Sequence, residues 1–197
     1  MPEKYKIEKR NDYQRRVSVI ENYRQSKNEI IFLGHSQVRE FPLEMYFEHP
    51  IINMGISGET TQGLYKNLYL ALNRNPKKIF LLIGVNDILK GISNEIILKN
   101  YRSIINRILQ NAPHCQLYIC NILPLGKVND HIIILNERIE QFAKRYDLYY
   151  IDLYGRFGKG GILKKEFDSG DGLHLNGEAY KVLAEYLKIY INKQSNH

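Results

Sequence analysis

Five short, nearly unbroken apolar runs divide the chain, at residues 30–33, 51–54, 79–83, 117–122 and 148–153. Their length suits β-strands, and their lack of alternation implies strands covered on both faces. Between them the apolar spacing changes to that of a helix. Residues 60–73 carry Leu64, Leu68 and Leu72 four apart, and residues 94–110 place Ile97, Tyr101, Ile104, Ile105 and Ile108 on one face. Residues 131–146 repeat the pattern with Leu135, Ile139, Phe142 and Ala143, and a last helix presents Tyr180, Leu183, Leu187 and Tyr190. Strand and helix alternating about five times predict an α/β fold, a flavodoxin-like three-layer α/β/α sandwich around a parallel sheet of about five strands. Ahead of it, Tyr13, Val17, Ile20 and Arg24 mark one more helix, so residues 1–28 read as a helical extension packed on the edge of a single domain, 29–197.

At 197 residues, 44% hydrophobic and 25% charged, the chain has the size of one globular domain, which buries roughly 70% of its unfolded surface. Residues 1–28 hold no apolar stretch resembling a signal peptide, and no later run approaches the ~20 apolar residues of a membrane span. A soluble, cytoplasmic protein is the expectation. Cys115 and Cys120 fall in one strand candidate, where ~3.3 Å per residue separates them by ~16 Å. That exceeds the ~7 Å limit between the Cα atoms of a disulfide, so two free core thiols are expected, in keeping with a reducing compartment. The formal charge is +7, yet Lys and Arg are spread from Lys4 to Lys193 with acidic residues between them, and dense patches such as Lys77-Lys78 and Lys164-Lys165 are only dipeptides. This describes a solvated basic surface rather than a nucleic-acid groove. What such a charge adds is long-range attraction for an anionic substrate.

Candidate chemistry sits in four polar islands: Gly34-His35-Ser36, Asn53-Met54-Gly55, Gly84-Val85-Asn86-Asp87 and Asp171-Gly172-Leu173-His174. The first three follow apolar runs, so the sheet brings them to the carboxyl ends of its strands, where ligands bind in folds of this class. A serine needs an imidazole to become nucleophilic, and the imidazole needs a carboxylate to fix its tautomer; Ser36, His174 and Asp171 supply all three. Three residues apart, Asp171 and His174 are expected on a helical turn, with the carboxylate on one ring nitrogen and the other nitrogen facing the cleft. The Asn86 amide and the backbone N–H groups of Gly55 and Ser36 are candidate oxyanion donors. Singly, each residue has a plainer role: Ser36 as a helix cap, Asp171 and the glycines as turn formers, His174 as a polar residue opening the last helix. Four islands in sequence order favour the chemical role.

The stretches Asn53-Met54-Gly55-Ile56-Ser57-Gly58-Glu59-Thr60-Thr61, Ile83-Gly84-Val85-Asn86-Asp87 and Asp171-Gly172-Leu173-His174-Leu175-Asn176, the last followed by Gly177 and Tyr180, are specific. On them the sequence resembles the SGNH hydrolases, also called the GDSL lipase/esterase family, and within it the platelet-activating-factor acetylhydrolase-like members. The resemblance spans roughly residues 30–187. It implies Ser36 as nucleophile, Gly55 and Asn86 as oxyanion donors beside the Ser36 amide, Asp171 and His174 completing the triad, and no metal or cofactor. One position departs, since His35 stands where the family usually has the aspartate of Gly-Asp-Ser. That aspartate supports the serine from outside the triad, so His35 is expected to be structural or supporting, with a catalytic role as the lesser alternative. Asp87 is expected to order its loop or cap the next helix. Ser57 and Cys120 are rival nucleophiles without a recognisable base.

The expected function is a serine esterase that cleaves a short-chain, acetyl-like ester of a small alcohol, sugar or lipid headgroup through an acyl-enzyme. Its partner is a small ester, with no nucleic acid, and both a monomer and a homodimer stay open. Val38, Ile56, Val85, Ile88 and Leu123, with segment 123–131, are the candidate pocket residues. Lysophospholipid or thioester cleavage is one alternative, and a catalytically weakened binding module on the same fold is another.

Overall fold

Five strands, β1 (Ile30–Gly34), β2 (Ile51–Gly55), β3 (Lys78–Leu82), β4 (Gln116–Cys120) and β5 (Tyr149–Ile151), pair in parallel in the order β2-β1-β3-β4-β5. The apolar runs coincide with them to within two residues at either end. This computed structural model describes residues 3–48 and 50–193, with side chains from residue 11 onward except that of residue 127. Around the sheet lie α1 (Glu3–Glu21), α2 (Ser36–Arg39), α3 (Thr61–Asn67), α4 (Tyr69–Leu72), α5 (Val85–Leu89), α6 (Asn94–Asn111), α7 (Asn129–Arg145), α8 (Leu153–Phe157) and α9 (Gly177–Ile191). A two-stranded hairpin, β6 (Gly158–Lys159) with β7 (Ile162–Leu163), precedes α9.

Segment 60–73, expected as one helix, is two: the pattern breaks at Leu68, although the backbone there keeps helical angles (φ −60°, ψ −25°). α1 ends at Glu21, short of Arg24. Helix starts are set by side-chain caps, as where Thr60 accepts from the Gly63 N–H at 3.2 Å and Asn176 from the Ala179 N–H at 3.0 Å.

Successive strand residues face opposite layers. On one face Ile31, Leu33, Ile79, Leu81, Leu117 and Ile119 meet Leu64, Ile97, Ile104, Leu135 and Ile139 from the helices. On the other, Ile30, Phe32, Phe80, Leu82 and Tyr118 meet Leu183, Ala184 and Leu187 of α9. The register sets Phe32, Phe80, Tyr118 and Tyr149 side by side across four strands. Their rings stack at centroid distances of 4.6, 4.5 and 4.5 Å, a ladder that locks the strands level with one another. Beneath it the buried Lys78 ammonium donates to the carbonyls of Tyr190, Ile191 and Lys193 at 2.7, 2.9 and 2.7 Å, which caps the end of α9.

The chain passes from β1 to β2 on one side, then crosses back to β3 on the other side of β1. Winding therefore reverses at β1, and the crevice beyond the carboxyl ends of β1 and β3 is where such a fold binds ligands. Among the described residues no helix is long and apolar enough to cross a membrane.

Phe80, 1% exposed, sits between two stacked rings. Phe80→Ala is expected to cost about 3–5 kcal/mol of stability in urea unfolding; an unchanged midpoint would mean that the ladder does not tie the strands together.

Candidate active site

Gly34 ends β1, and its missing side chain lets α2 lie directly on the sheet. A Cβ there would stand 2.1 Å from the Leu82 carbonyl oxygen and 2.7 Å from a Val38 methyl. Gly55 makes the same room at the end of β2, where a Cβ would come within 2.2 Å of the Arg39 backbone nitrogen. Ser36, the first residue of α2, is thereby set at the rim of the sheet. Gln37 holds it there: its side-chain amide donates to the Leu173 carbonyl at 2.6 Å, and its own carbonyl accepts from the Tyr180 hydroxyl at 3.0 Å.

Ser36 Oγ lies 2.9 Å from His174 Nε2, and His174 Nδ1 lies 2.6 Å from Asp171 Oδ2. The pair does not occupy the helical turn that the spacing suggests. Residues 168–175 form a loop closed by a bridge between Asp168 and Leu175, and Asp168 Oδ1 accepts the N–H groups of Gly170 and Gly172 at 2.9 Å each. Both glycines have positive φ, 108° and 72°, which an L-residue adopts only with strain. Asp171 Oδ1 accepts the N–H groups of Leu173 and His174 at 2.9 and 2.8 Å. Burial pushes the Asp171 carboxyl up, but the His174 ring and these two N–H groups outweigh it and hold the group well below the usual carboxylate range. An ionised Asp171 keeps the ring proton on Nδ1 and leaves Nε2 to accept from Ser36.

Of the three expected oxyanion donors, two are free. The Ser36 N–H, in the first turn of α2, has no partner among the described residues. Asn86 Nδ2 spends one hydrogen on the Glu59 carbonyl at 2.9 Å and keeps the other. Gly55 is the correction: its N–H donates to Asn53 Oδ1 at 3.0 Å, and its carbonyl accepts from Arg16 Nε at 3.0 Å. Because the Ile56 N–H turns inward to the Gly34 carbonyl, the peptide groups of Gly55 face outward, away from β1. Three residues on, Gly58 has φ +76°, open space where a Cβ would stand, and an N–H without a partner among the described residues.

His35 is 1% exposed and caps α2 through a long hydrogen bond, 3.4 Å, from the Gln37 N–H to Nδ1. Burial, with His174 nearby, pushes its imidazole down to about 3, so it is neutral. With Nδ1 accepting, the proton belongs on Nε2, which is buried without a partner among the described residues. Asp87 is fully buried and accepts the N–H and hydroxyl of Thr61 at 2.9 and 2.6 Å, tying the Asn86 loop to the start of α3. Glu59 is not singled out by its sequence context, yet it is buried beside the site. Burial pushes its carboxyl up to about 7 against hydrogen bonds from Tyr13 and the Thr60 N–H.

Ser57 Oγ accepts from Arg39, and burial pushes both cysteine thiols up to about 12, where they are neutral. Val38, Ile56, Val85 and Leu123 are packed into the two cores rather than lining an open pocket, Val38 and Val85 from the helices α2 and α5 that lie on the sheet. Ile88 does border an open groove of about 590 Å³, shared with Ile92, Val128, His131 and Ile134.

The chain and its fold have relatives among known proteins. The model of the GDSL-like lipase/acylhydrolase family matches residues 37–182, starting one residue after Ser36. An N-acylneuraminate cytidylyltransferase from Streptococcus agalactiae is 28% identical over 165 residues, 83% of this chain; the chain spans only 38% of that relative's length. An arylesterase from Vibrio mimicus is 25% identical over 150 residues, 70% of this chain and 67% of the relative. A solved structure from Streptococcus pneumonia, described as a candidate platelet activating factor, superposes with a TM-score of 0.86 at 27% identity, covering 95% of this chain and 96% of its own. The chain belongs to the GDSL-like lipase/acylhydrolase family.

Proposed function

We propose that the protein cleaves a short-chain, acetyl-like ester through a covalent acyl-serine at Ser36. The observation that carries this reading is the unbroken relay from Ser36 Oγ to His174 Nε2, 2.9 Å, and from His174 Nδ1 to Asp171, 2.6 Å. His174 accepts the hydroxyl proton as Ser36 Oγ bonds to the ester carbonyl carbon, and the imidazolium that forms is balanced by Asp171. The carbonyl electrons move onto oxygen, which the N–H groups of Ser36 and Gly58 and the Asn86 amide receive; Gly58 takes the place expected of Gly55. Collapse expels the alcohol, which leaves with the proton from His174. Water then repeats the sequence on the acyl-enzyme.

Two further features support a small, anionic, sugar-like substrate. Because Val38, Ile56, Val85 and Leu123 are closed into the core, they offer no surface to a long acyl chain. The relative named for an N-acylneuraminate handles a sugar acid, and a net charge of +7 attracts such an anion. An O-acetylated N-acylneuraminate is therefore the first natural substrate to try. The buried free thiols of Cys115 and Cys120 suit the reducing cytoplasm.

In assays with p-nitrophenyl acetate, butyrate and octanoate, turnover is expected to be highest on acetate, and Ser36→Ala or His174→Ala to lower kcat by at least about 10⁴-fold. Asn86→Ala is expected to cost about 10²–10³-fold in kcat. Preference for octanoate would favour lysophospholipid or thioester cleavage, and equal inertness of wild type and variants would favour a binding module. A second prediction concerns His35. Replacing this neutral ring by the family's carboxylate, His35→Asp, places negative charge beside the imidazolium, so the acid limb of the kcat/KM profile should move to higher pH. An unmoved limb would mean that position 35 is electrostatically silent.

A further inference from the structure

The second half of α1, from Asp12 onward, lies against the end of β2 and the segment that follows it, touching Asn53, Gly55 and Glu59 directly and Ser57 by way of Arg39. Arg16 donates from Nη2 to the Asn53 carbonyl at 2.8 Å and from Nε to the Gly55 carbonyl at 3.0 Å. Arg39, paired with Asp12 at 2.7 Å, reaches Ser57 Oγ at 3.2 Å. The Tyr13 hydroxyl donates to Glu59 Oε2 at 2.9 Å and is itself held by Asn67 Nδ2 at 2.6 Å. Residues 53, 55 and 59 thus meet α1 directly and Ser57 meets it through Arg39, while the Glu59 carbonyl receives the Asn86 amide and the Gly58 N–H beside it is without a partner among the described residues.

We propose that α1 is a positioning element of the reaction, in which Arg16 and Tyr13 hold segment 53–59 so that the Gly58 N–H and the Asn86 amide are aimed at the developing oxyanion. This rests on the proposed acyl-serine mechanism. β2 is the edge strand, so the outward carbonyls of Asn53 and Gly55 have no neighbouring strand to satisfy them. A guanidinium answers both at once through a planar fork that fixes two donors in one geometry, whereas an ammonium is a point charge on a flexible stem and sets no such geometry. Arg16 is itself steadied by the Tyr23 hydroxyl, which accepts from Nη1 at 2.7 Å. Glu59 is 3% exposed, and its carboxylate joins the Tyr13 hydroxyl to the Thr60 N–H, linking α1 to the start of α3. Among the described residues few apolar side chains dock α1, chiefly Ile20 with Tyr13 and Val17, so its placement leans on these polar contacts. A displacement of about 1 Å at an oxyanion donor costs on the order of 10²-fold in rate, which is why a contact outside the crevice can act on kcat.

The test uses the full chain with Arg16→Ala, Arg16→Lys and Tyr13→Phe, beside Gln14→Ala on the exposed side of α1. With p-nitrophenyl acetate, Arg16→Ala is expected to lower kcat by about 10–100-fold with KM nearly unchanged, Arg16→Lys to recover little of it, and Gln14→Ala to match wild type. Hydrogen exchange of segment 53–60, measured by mass spectrometry, should be about tenfold faster in Arg16→Ala and Tyr13→Phe than in wild type and Gln14→Ala. Wild-type kcat in both, or unchanged exchange in folded Arg16→Lys and Tyr13→Phe, would overturn the proposal. If wild type itself turns over no ester, the acyl-serine mechanism fails, and the exchange measurement still decides whether α1 holds the segment.

Discussion

Close approach of α2 to the end of a level, buried sheet is the constraint on which the site depends. Gly34 and Gly55 stand side by side in the register of β1 and β2, and neither could carry a Cβ without meeting backbone of Leu82 or Arg39. A methyl group at either place would lift α2 and take Ser36 out of reach of His174. The aromatic ladder from Phe32 to Tyr149 keeps the strands level from below, while Gln37 and Tyr180 tie α2 to the loop of His174 and to α9. Packing at atomic density therefore does the aligning, and the hydrogen bonds of the relay read out the alignment.

Electrostatics around the relay are spare. His35 is neutral in its burial and adds no charge beside His174. Asp171 supplies the balancing negative charge and is held ionised by donors on its own loop. Asp87 and Glu59, both buried, are turned to neighbouring backbone and hydroxyl groups, where they fix loops. The unpartnered Nε2 of His35 is the one buried side-chain polar atom without a hydrogen bond among the described residues, and it belongs to the residue that precedes Ser36. Strain of this kind gathers where function fixes the chain.

Much of this is legible in the sequence. Strands covered on both faces leave continuous apolar runs, so their existence and order can be read, and the polar islands mark their carboxyl ends. Ser36, Asn86, Asp171 and His174 stand out because their residue types make a chemical set. What cannot be read is direction. Whether a peptide N–H points into the crevice or away from it depends on the register of an edge strand, and so Gly55 looks like a donor when its N–H is turned to Asn53. Gly58 carries a faint signal, a glycine between two polar residues in the loop, but its positive φ emerges only in three dimensions. The loop of Asp171 looks helical because three-residue spacing is shared by helical turns and by turns that an aspartate closes on its own backbone. α1 is visible as a helix through Tyr13, Val17 and Ile20, whereas its contacts with segment 53–59 join residues 37 to 46 positions apart and leave no local pattern.

The nucleophile can be identified directly by mass spectrometry of the protein after reaction with a fluorophosphonate, with mapping of the modified peptide. One adduct per chain, on Ser36, absent when His174 is replaced by alanine, is the result expected of a serine activated by the imidazole 2.9 Å away. No adduct on the folded protein, or an adduct on Ser57, would contradict it.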